Sequence, residues 1–171
     1  MDLMAEIREP KASELKQLIL IYRSAFPKHN IFQLPKKEVH KYLLYSNKKN
    51  KVLGLGYLAA IVGGKVAGAL LLKRTEYDPK GKHWTVKINH LAVPPEYRGK
   101  GIGSALVKAA EDKLKLLIKK GGVKSIKVEV KVSENEARTI AFFRKHGFQL
   151  EGKLKSHFRA GELVYVMGKK L

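Results

Sequence analysis

Between Ile88 and Leu106 the chain reads INHLAVPPEYRGKGIGSAL. A strand-like apolar run, Ile88, Leu91 and Val93, meets two prolines that neither a strand nor a helix interior accepts. Glycines follow at positions 99, 101 and 103, and a regular apolar spacing begins at Leu106. A strand, a glycine-rich turn and a helix start, in that order, make a phosphate cradle. Glycine lets the backbone approach closely and point several N–H groups one way, and a helix N-terminus adds partial positive charge. Arg98 and Lys100 add two full charges at the same turn. The stretch is built for a polyphosphate, and an enzyme is a better reading than a generic domain.

Three glycine-rich phosphate motifs compete for it. A P-loop needs G-x-x-x-x-G-K-[ST], and the chain contains no Gly-Lys-Ser or Gly-Lys-Thr. A dinucleotide fingerprint needs G-x-G-x-x-G inside an early βαβ unit, whereas the spacing here is G-x-G-x-G. The pattern that fits is R-x-x-G-x-G, as Arg98, Gly101 and Gly103, with L-A-V-x-P before it. This resembles the pyrophosphate loop of the GNAT family, the acetyl-CoA-dependent N-acetyltransferases. The alternative is a β-to-α turn without a ligand, for which one glycine is enough. The resemblance implies that Leu91, Ala92 and Val93 pair with the pantetheine arm. It also implies that Arg98, Gly99, Lys100, Gly101, Ile102, Gly103 and Ser104 hold the rest of acetyl-CoA. IKVEVKVSENEARTIAFFRKHGF and EGKLKSHFRAGELVYVMGKKL are similar to the family's next strand and helix and to its closing hairpin. That ending is most similar to enzymes that acetylate protein N-termini, the ribosomal-protein alanine acetyltransferases among them. Residues 1–80 share only the layout; in this family they are the variable, substrate-facing part.

Length and composition bound the rest. A chain of 171 residues is one domain by prior, here a single N-acetyltransferase domain over 1–171. Its 44% hydrophobic and 29% charged residues read as a soluble globular protein, and MDLMAEIREP has no apolar signal core, so a cytoplasmic location is expected. The absence of cysteine excludes disulfides, thiolate metal sites and a cysteine nucleophile. The apolar stretch Val52–Leu72 could be mistaken for a membrane span, but Gly63-Gly64-Lys65 near its middle reads as a tight turn between two buried strands. The net charge of +20 is spread along the chain rather than gathered in a tail. A solvated lysine-rich surface therefore explains it better than a nucleic-acid site. It favours acidic partners: CoA phosphates, acidic peptides or a ribosome surface. The histidines lack metal-ligand spacing, His83 and His90 being seven apart, so no catalytic metal is expected.

Periodicity predicts the order β-α-α-β-β-β-α-β-α-β-β, an α/β fold with a central mixed sheet and helices on both faces. A short strand at Ala5–Arg8 precedes a helix capped by Ser13 and stopped by Pro27. A second helix covers Lys37–Tyr45, and SNKKNK at 46–51 reads as a solvated turn. Strands follow at Tyr57–Val62, Val66–Lys73 and His83–Val93, with a turn over Thr75–Lys82. A helix with Leu106, Val107, Ala110 and Leu114 on one stripe ends at Gly121-Gly122. Ser125–Val132 alternates as a strand, Ser133 with Glu136 forms a capping-box pattern for a helix through His146, and two strands flank Ala160-Gly161.

Acetyl transfer to an amine needs a base for the amine, a donor for the thioester oxygen and, in some enzymes, an acid for the leaving thiolate. Glu129, in VEVKV, is the base candidate, since the resemblance puts a catalytic Glu in a similar run. The alternative is a strand carboxylate paired with Lys127 or Lys131. The family's Y-x-x-x-G-F pattern supplies an acid, but here its tyrosine is Phe143, which cannot donate a proton and can only pack beside the cofactor. Asn135 is a CoA contact by resemblance, although its spacing to Gly147 is one residue longer than usual. Tyr165, in GELVYVM, is the substitute donor; a half-buried strand tyrosine is the alternative. His157 and Phe158 match aromatic positions of the peptide groove, and Tyr97 reads as packing. Counting by twos back from Leu91 puts Asn89 and Lys87 on the base-bearing face and His90 on the other. The chain thus reads as an acetyl-CoA-dependent N-acetyltransferase acting on a primary amine, foremost a protein or peptide N-terminus. A small polyamine-like or aminoglycoside acceptor is the alternative within that class. A CoA-binding or RNA-associated module without catalysis is the alternative outside it.

Overall fold

The computed structural model describes residues 4–171. Its elements run β1 (Glu6–Arg8), α1 (Ala12–Ala25), α2 (Lys36–Lys51), β2 (Gly56–Val62), β3 (Lys65–Tyr77), β4 (His83–Ala92), α3 (Ile102–Lys119), β5 (Ser125–Ser133), α4 (Ala137–Lys145), β6 (Gln149–Lys155) and β7 (Leu163–Lys170). Short 3₁₀ turns at Asn30–Gln33 and Pro95–Tyr97 complete the list. The order is the one the periodicity predicts. The strands form one mixed sheet in the order β1-β2-β3-β4-β5-β7-β6. The chain divides into two compact units: the residues up to Lys73 with Asn89–Lys113, and Arg74–Ile88 with Leu114–Leu171.

In the first unit, the cap of α1 lies two residues before the predicted one. Lys11, not Ser13, occupies the N-cap. Glu14 explains why: its carboxylate accepts the Lys11 N–H at 2.7 Å and both Arg8 terminal nitrogens at 2.8 Å, tying the helix start to β1. The Arg8 guanidinium holds the Glu14 carboxyl down at about 2. Leu15, Leu18, Ile19 and Tyr22 of α1 and Val39 and Leu43 of α2 close over Tyr57, Ala59 and Ile61 of β2 and Val66, Ala69 and Leu71 of β3. Each such leucine or isoleucine contributes about 1.5–3 kcal/mol on leaving water. The other face of these strands meets α3. A Cβ on Gly68 would lie 3.0 Å from Ile102 Cγ2 and 3.1 Å from the Ala92 carbonyl, so glycine sets how closely α3 sits. Gly63 and Gly64, at φ 53° and 76°, make the predicted turn.

Two boundaries in or beside this unit differ from expectation. The segment 46–51 is helical, not a turn. Its polar residues serve the backbone: the buried Asn50 side chain donates to the Ser46 carbonyl at 2.8 Å, and Asn47 Oδ1 accepts the Tyr57 N–H at 3.0 Å. The turn expected from Thr75 starts only at Asp78, after β3 has run to Tyr77. There Asp78 Oδ1 accepts the N–H groups of Lys82 and His83.

In the second unit β4 pairs in parallel with β5, and β7 pairs antiparallel with both β5 and β6. The capping box is half formed. Glu136 accepts the Ser133 N–H at 3.3 Å, but Ser133 Oγ accepts from Asn135, and α4 starts at Ala137 with Glu136 as N-cap. Gly147, at φ 85°, ends the helix, and Phe143 packs edge-on to Phe148 at 5.2 Å.

Candidate active site

The first unit carries the cradle. After Ala92 the two prolines and a 3₁₀ turn carry the chain to Arg98, whose Nε donates to the Val93 carbonyl at 2.9 Å. Lys100 Nζ donates to the Glu96 carbonyl at 2.8 Å and stands 5.9 Å from the Tyr97 ring centre. Gly99 and Gly101 adopt φ 70° and 79°, which side-chain-bearing residues rarely do. A Cβ at either would meet nothing within 4 Å, so the glycines also leave open the surface that a side chain would cover. The Ala105 N–H bonds the Gly101 carbonyl at 2.9 Å and closes the first turn of α3. The helix start then leaves the N–H groups of Ile102 and Gly103 without acceptors inside the helix. Main-chain donors, a helix dipole and two cations thus converge on one exposed turn, and these residues fit a pyrophosphate.

The strand feeding this turn carries a break. His90 has φ 52°, so strict alternation does not run through it, and the face count back from Leu91 fails there. Its ring lies in an aromatic cluster, with centroids 5.0 Å from Phe32, 5.2 Å from His29 and 5.7 Å from Tyr22 and Phe26.

The second unit carries the acid–base candidates. Partners across a ladder share a face, and successive residues alternate. Lys87 pairs with Glu129, and Glu129 with Gly168, so these three share a face, and Lys127 and Lys131 join them by period two. Tyr165 pairs with Val132 and lies on the opposite face, where Lys153 Nζ stands 5.2 Å from its ring centre. The structure does not bring the Glu129 and Tyr165 side chains to one face.

Five carboxylates lie between Ser125 and Leu171. Glu134 accepts the Leu163 N–H, Glu136 the Ser133 N–H, Glu151 bonds the Lys127 ammonium and Glu162 the Arg159 guanidinium. Glu129 makes no hydrogen bond or ion pair among the described residues. Lys127, one of its two expected partners, is taken by Glu151, whose carboxylate lies over Gly168 where a Cβ would stand. His157 is close enough to Lys131 and Lys87 to feel both charges; burial first, then those lysines, hold its imidazole below the usual value. Phe158 beside it is 49% exposed. Asn135 is exposed in the turn before α4, and Phe143, only 3% exposed, presents almost no surface. The cationic residues around Glu129 carry no motif; their only signal is the period-two spacing with Glu129.

No group of metal-ligating side chains occurs among the described residues, and no helix there is long and apolar enough to cross a membrane. The sequence model of the Acetyltransferase (GNAT) family matches residues 15–148. An N-alpha-acetyltransferase of Saccharolobus solfataricus is 28% identical, covering 96% of this chain and 92% of that protein. A spermine/spermidine N(1)-acetyltransferase of Bacillus subtilis is 29% identical, covering 76% and 72%. Among solved structures, yncA of Salmonella typhimurium, a putative acetyltransferase with its cofactor acetyl-CoA, superposes with a TM-score of 0.76 at 17% identity, covering 98% and 94%.

Proposed function

The chain belongs to the GNAT family and is an acetyl-CoA-dependent N-acetyltransferase, and we propose that its acceptor is the α-amine of a protein or peptide N-terminus. The observation that carries this reading is Glu129: among the described residues its carboxylate makes no hydrogen bond or ion pair, on a strand face where Lys87, Lys127 and Lys131 stand around it and Glu151 is already bonded to Lys127. An α-amine has a pKa near 7.7–8.0 and needs one base to take one proton. A polyamine brings several charges and needs several carboxylates, whereas the second carboxylate of this face, Glu151, is bonded to Lys127. The Saccharolobus relative, matched over nearly the whole chain, supports the same acceptor.

In this reading the cradle holds the cofactor's pyrophosphate through the Ile102 and Gly103 N–H groups with Arg98 and Lys100, and Leu91–Val93 offer a strand edge to its arm. Acetyl-CoA supplies an activated thioester. Glu129 accepts the ammonium proton, with Lys87 as its cross-strand neighbour. Asn135 is a cofactor contact, while Phe143 serves the core against Phe148. Tyr165, facing away from Glu129, shapes the hairpin. The enzyme works in the cytoplasm, where acetyl-CoA and new N-termini meet. Incubation with acetyl-CoA and equimolar peptides and spermidine tests the acceptor. One acetyl added to peptide α-amines is expected, and acetylation of spermidine alone would overturn the reading.

A further inference from the structure

We propose that the enzyme selects N-termini with an acidic side chain at the second or third residue, and that Lys131 reads it. The inference rests on the N-terminal reading with Glu129 as base, and it deepens that reading by naming the peptide class.

Lys131 is two residues beyond Glu129 on β5 and shares its face. The strand rises about 3.3 Å per residue, so their Cα atoms are roughly 6.6 Å apart. An extended peptide has the same rise. With its amine at Glu129, the side chain of its second or third residue falls within reach of the lysine stem. The other cations of the face are differently engaged. Lys127 is bonded to Glu151, and Lys87 is the direct cross-strand neighbour of Glu129. Lys131 forms no ion pair among the described residues, so it can take a carboxylate from outside without giving one up.

The local charge supports the assignment. The face carries Lys87, Lys127, Lys131 and Lys170 against Glu129 and Glu151, with Glu76 also acting on Lys127. Once Lys127 and Glu151 neutralise each other, the remainder is cationic. His157 senses that field: Lys131 and Lys87 both disfavour its protonation, and burial acts in the same direction. Such a face attracts an acidic peptide and repels a polyamine or a lysine-rich peptide.

The test compares three hexapeptides, identical except for Glu, Ala or Lys at residues two and three, as substrates of the wild type, Lys131→Gln and Lys131→Glu. Retained CoA binding by calorimetry shows that each variant is folded. The wild type should prefer the Glu peptide over the Ala peptide by about twofold to fivefold in kcat/KM, the range of a partly exposed ion pair. That preference should shrink in high salt. Lys131→Gln should remove most of it, and Lys131→Glu should turn it toward the Lys peptide. Equal use of all three peptides by the wild type, or an acidic preference that survives Lys131→Glu, would overturn the inference while leaving N-terminal acetylation standing. Acetylation of spermidine with no peptide used would overturn both.

Discussion

In the proposed reading the turn at Arg98–Ser104 would bind with its backbone, whereas the β5 face would act through side chains. At the cradle the donors are main-chain N–H groups at the start of α3, and Gly99 and Gly101 supply positive φ values that other residues reach only under strain. On β5 nothing in the backbone is unusual. Glu129, Lys127 and Lys131 occupy an ordinary ladder and differ in their partners: Lys127 is bonded to Glu151, while Glu129 and Lys131 form no ion pair among the described residues. A backbone site constrains residue type tightly and tolerates little change. A side-chain site can be retuned by single substitutions without touching the fold.

The sharpest way to break this contrast is Glu129→Gln, which keeps size and hydrogen bonding but removes basicity. The rate with a peptide acceptor should fall about a hundredfold near pH 7, a typical general-base contribution. The loss should narrow as pH rises through the α-amine pKa, because the neutral amine then forms unaided. Melting temperature should be unchanged, since Glu129 holds nothing else among the described residues. A wild-type rate at pH 7 would make Glu129 a structural carboxylate.

A scaffold change should behave in the opposite way. Glu14 holds Arg8 and the Lys11 N–H, so Glu14→Gln should destabilise the protein by about 1.5–3 kcal/mol, the worth of hydrogen bonds to a charged group. The folded carboxyl, at about 2, lies below its unfolded value. Its contribution is therefore fully present above the unfolded pKa, near 4.3, and is lost as pH falls from there toward 2. Denaturant titrations at pH 7 and pH 3 should show the variant's deficit shrinking at the lower pH. An equal deficit at both would mean that the charge is not what Glu14 contributes.

The cradle is tested by Gly101→Val. The substitution forces a β-branched residue toward φ 79° and fills a surface that is open now. CoA binding should weaken by at least about tenfold, roughly 1.4 kcal/mol, with the peptide preference of whatever activity remains intact. Unchanged CoA affinity in calorimetry would remove the cradle from the cofactor site.

The same contrast explains what could be read from the chain. The turn after β4 was legible because its backbone demands glycines at fixed positions, Gly99 and Gly101 taking positive φ, and the hairpin at Gly63-Gly64 for the same reason. Element order was legible from periodicity. The helical run at 46–51 was not, because Ser46, Asn47 and Asn50 look like turn residues until their bonds to the Ser46 carbonyl and the Tyr57 N–H are seen. Counting faces along β4 failed at His90, where one positive φ, held in a ring of aromatics, interrupts the period of two. The partnering of Lys127 by Glu151 rather than Glu129 depends on a contact across β7, over a glycine, that no local pattern encodes.

The smallest effect is expected at Tyr165. Phe143 stands where the family pattern has a tyrosine, and Tyr165 is the substitute donor by resemblance alone. Its register sets it opposite Val132, on the other side of the sheet from Glu129, with Lys153 over its ring. A thiolate is a good leaving group, since a free thiol has a pKa near 8.5, and its departure at neutral pH requires little help from an acid. Tyr165→Phe removes only the hydroxyl and keeps the ring against Lys153. Turnover should therefore fall by no more than about threefold, with CoA affinity unchanged and any larger change confined to the peptide KM. A fall of tenfold or more in turnover at constant peptide KM would identify Tyr165 as the acid. It would also show that the acid–base chemistry draws on both faces of the sheet rather than on the lysine-lined face alone.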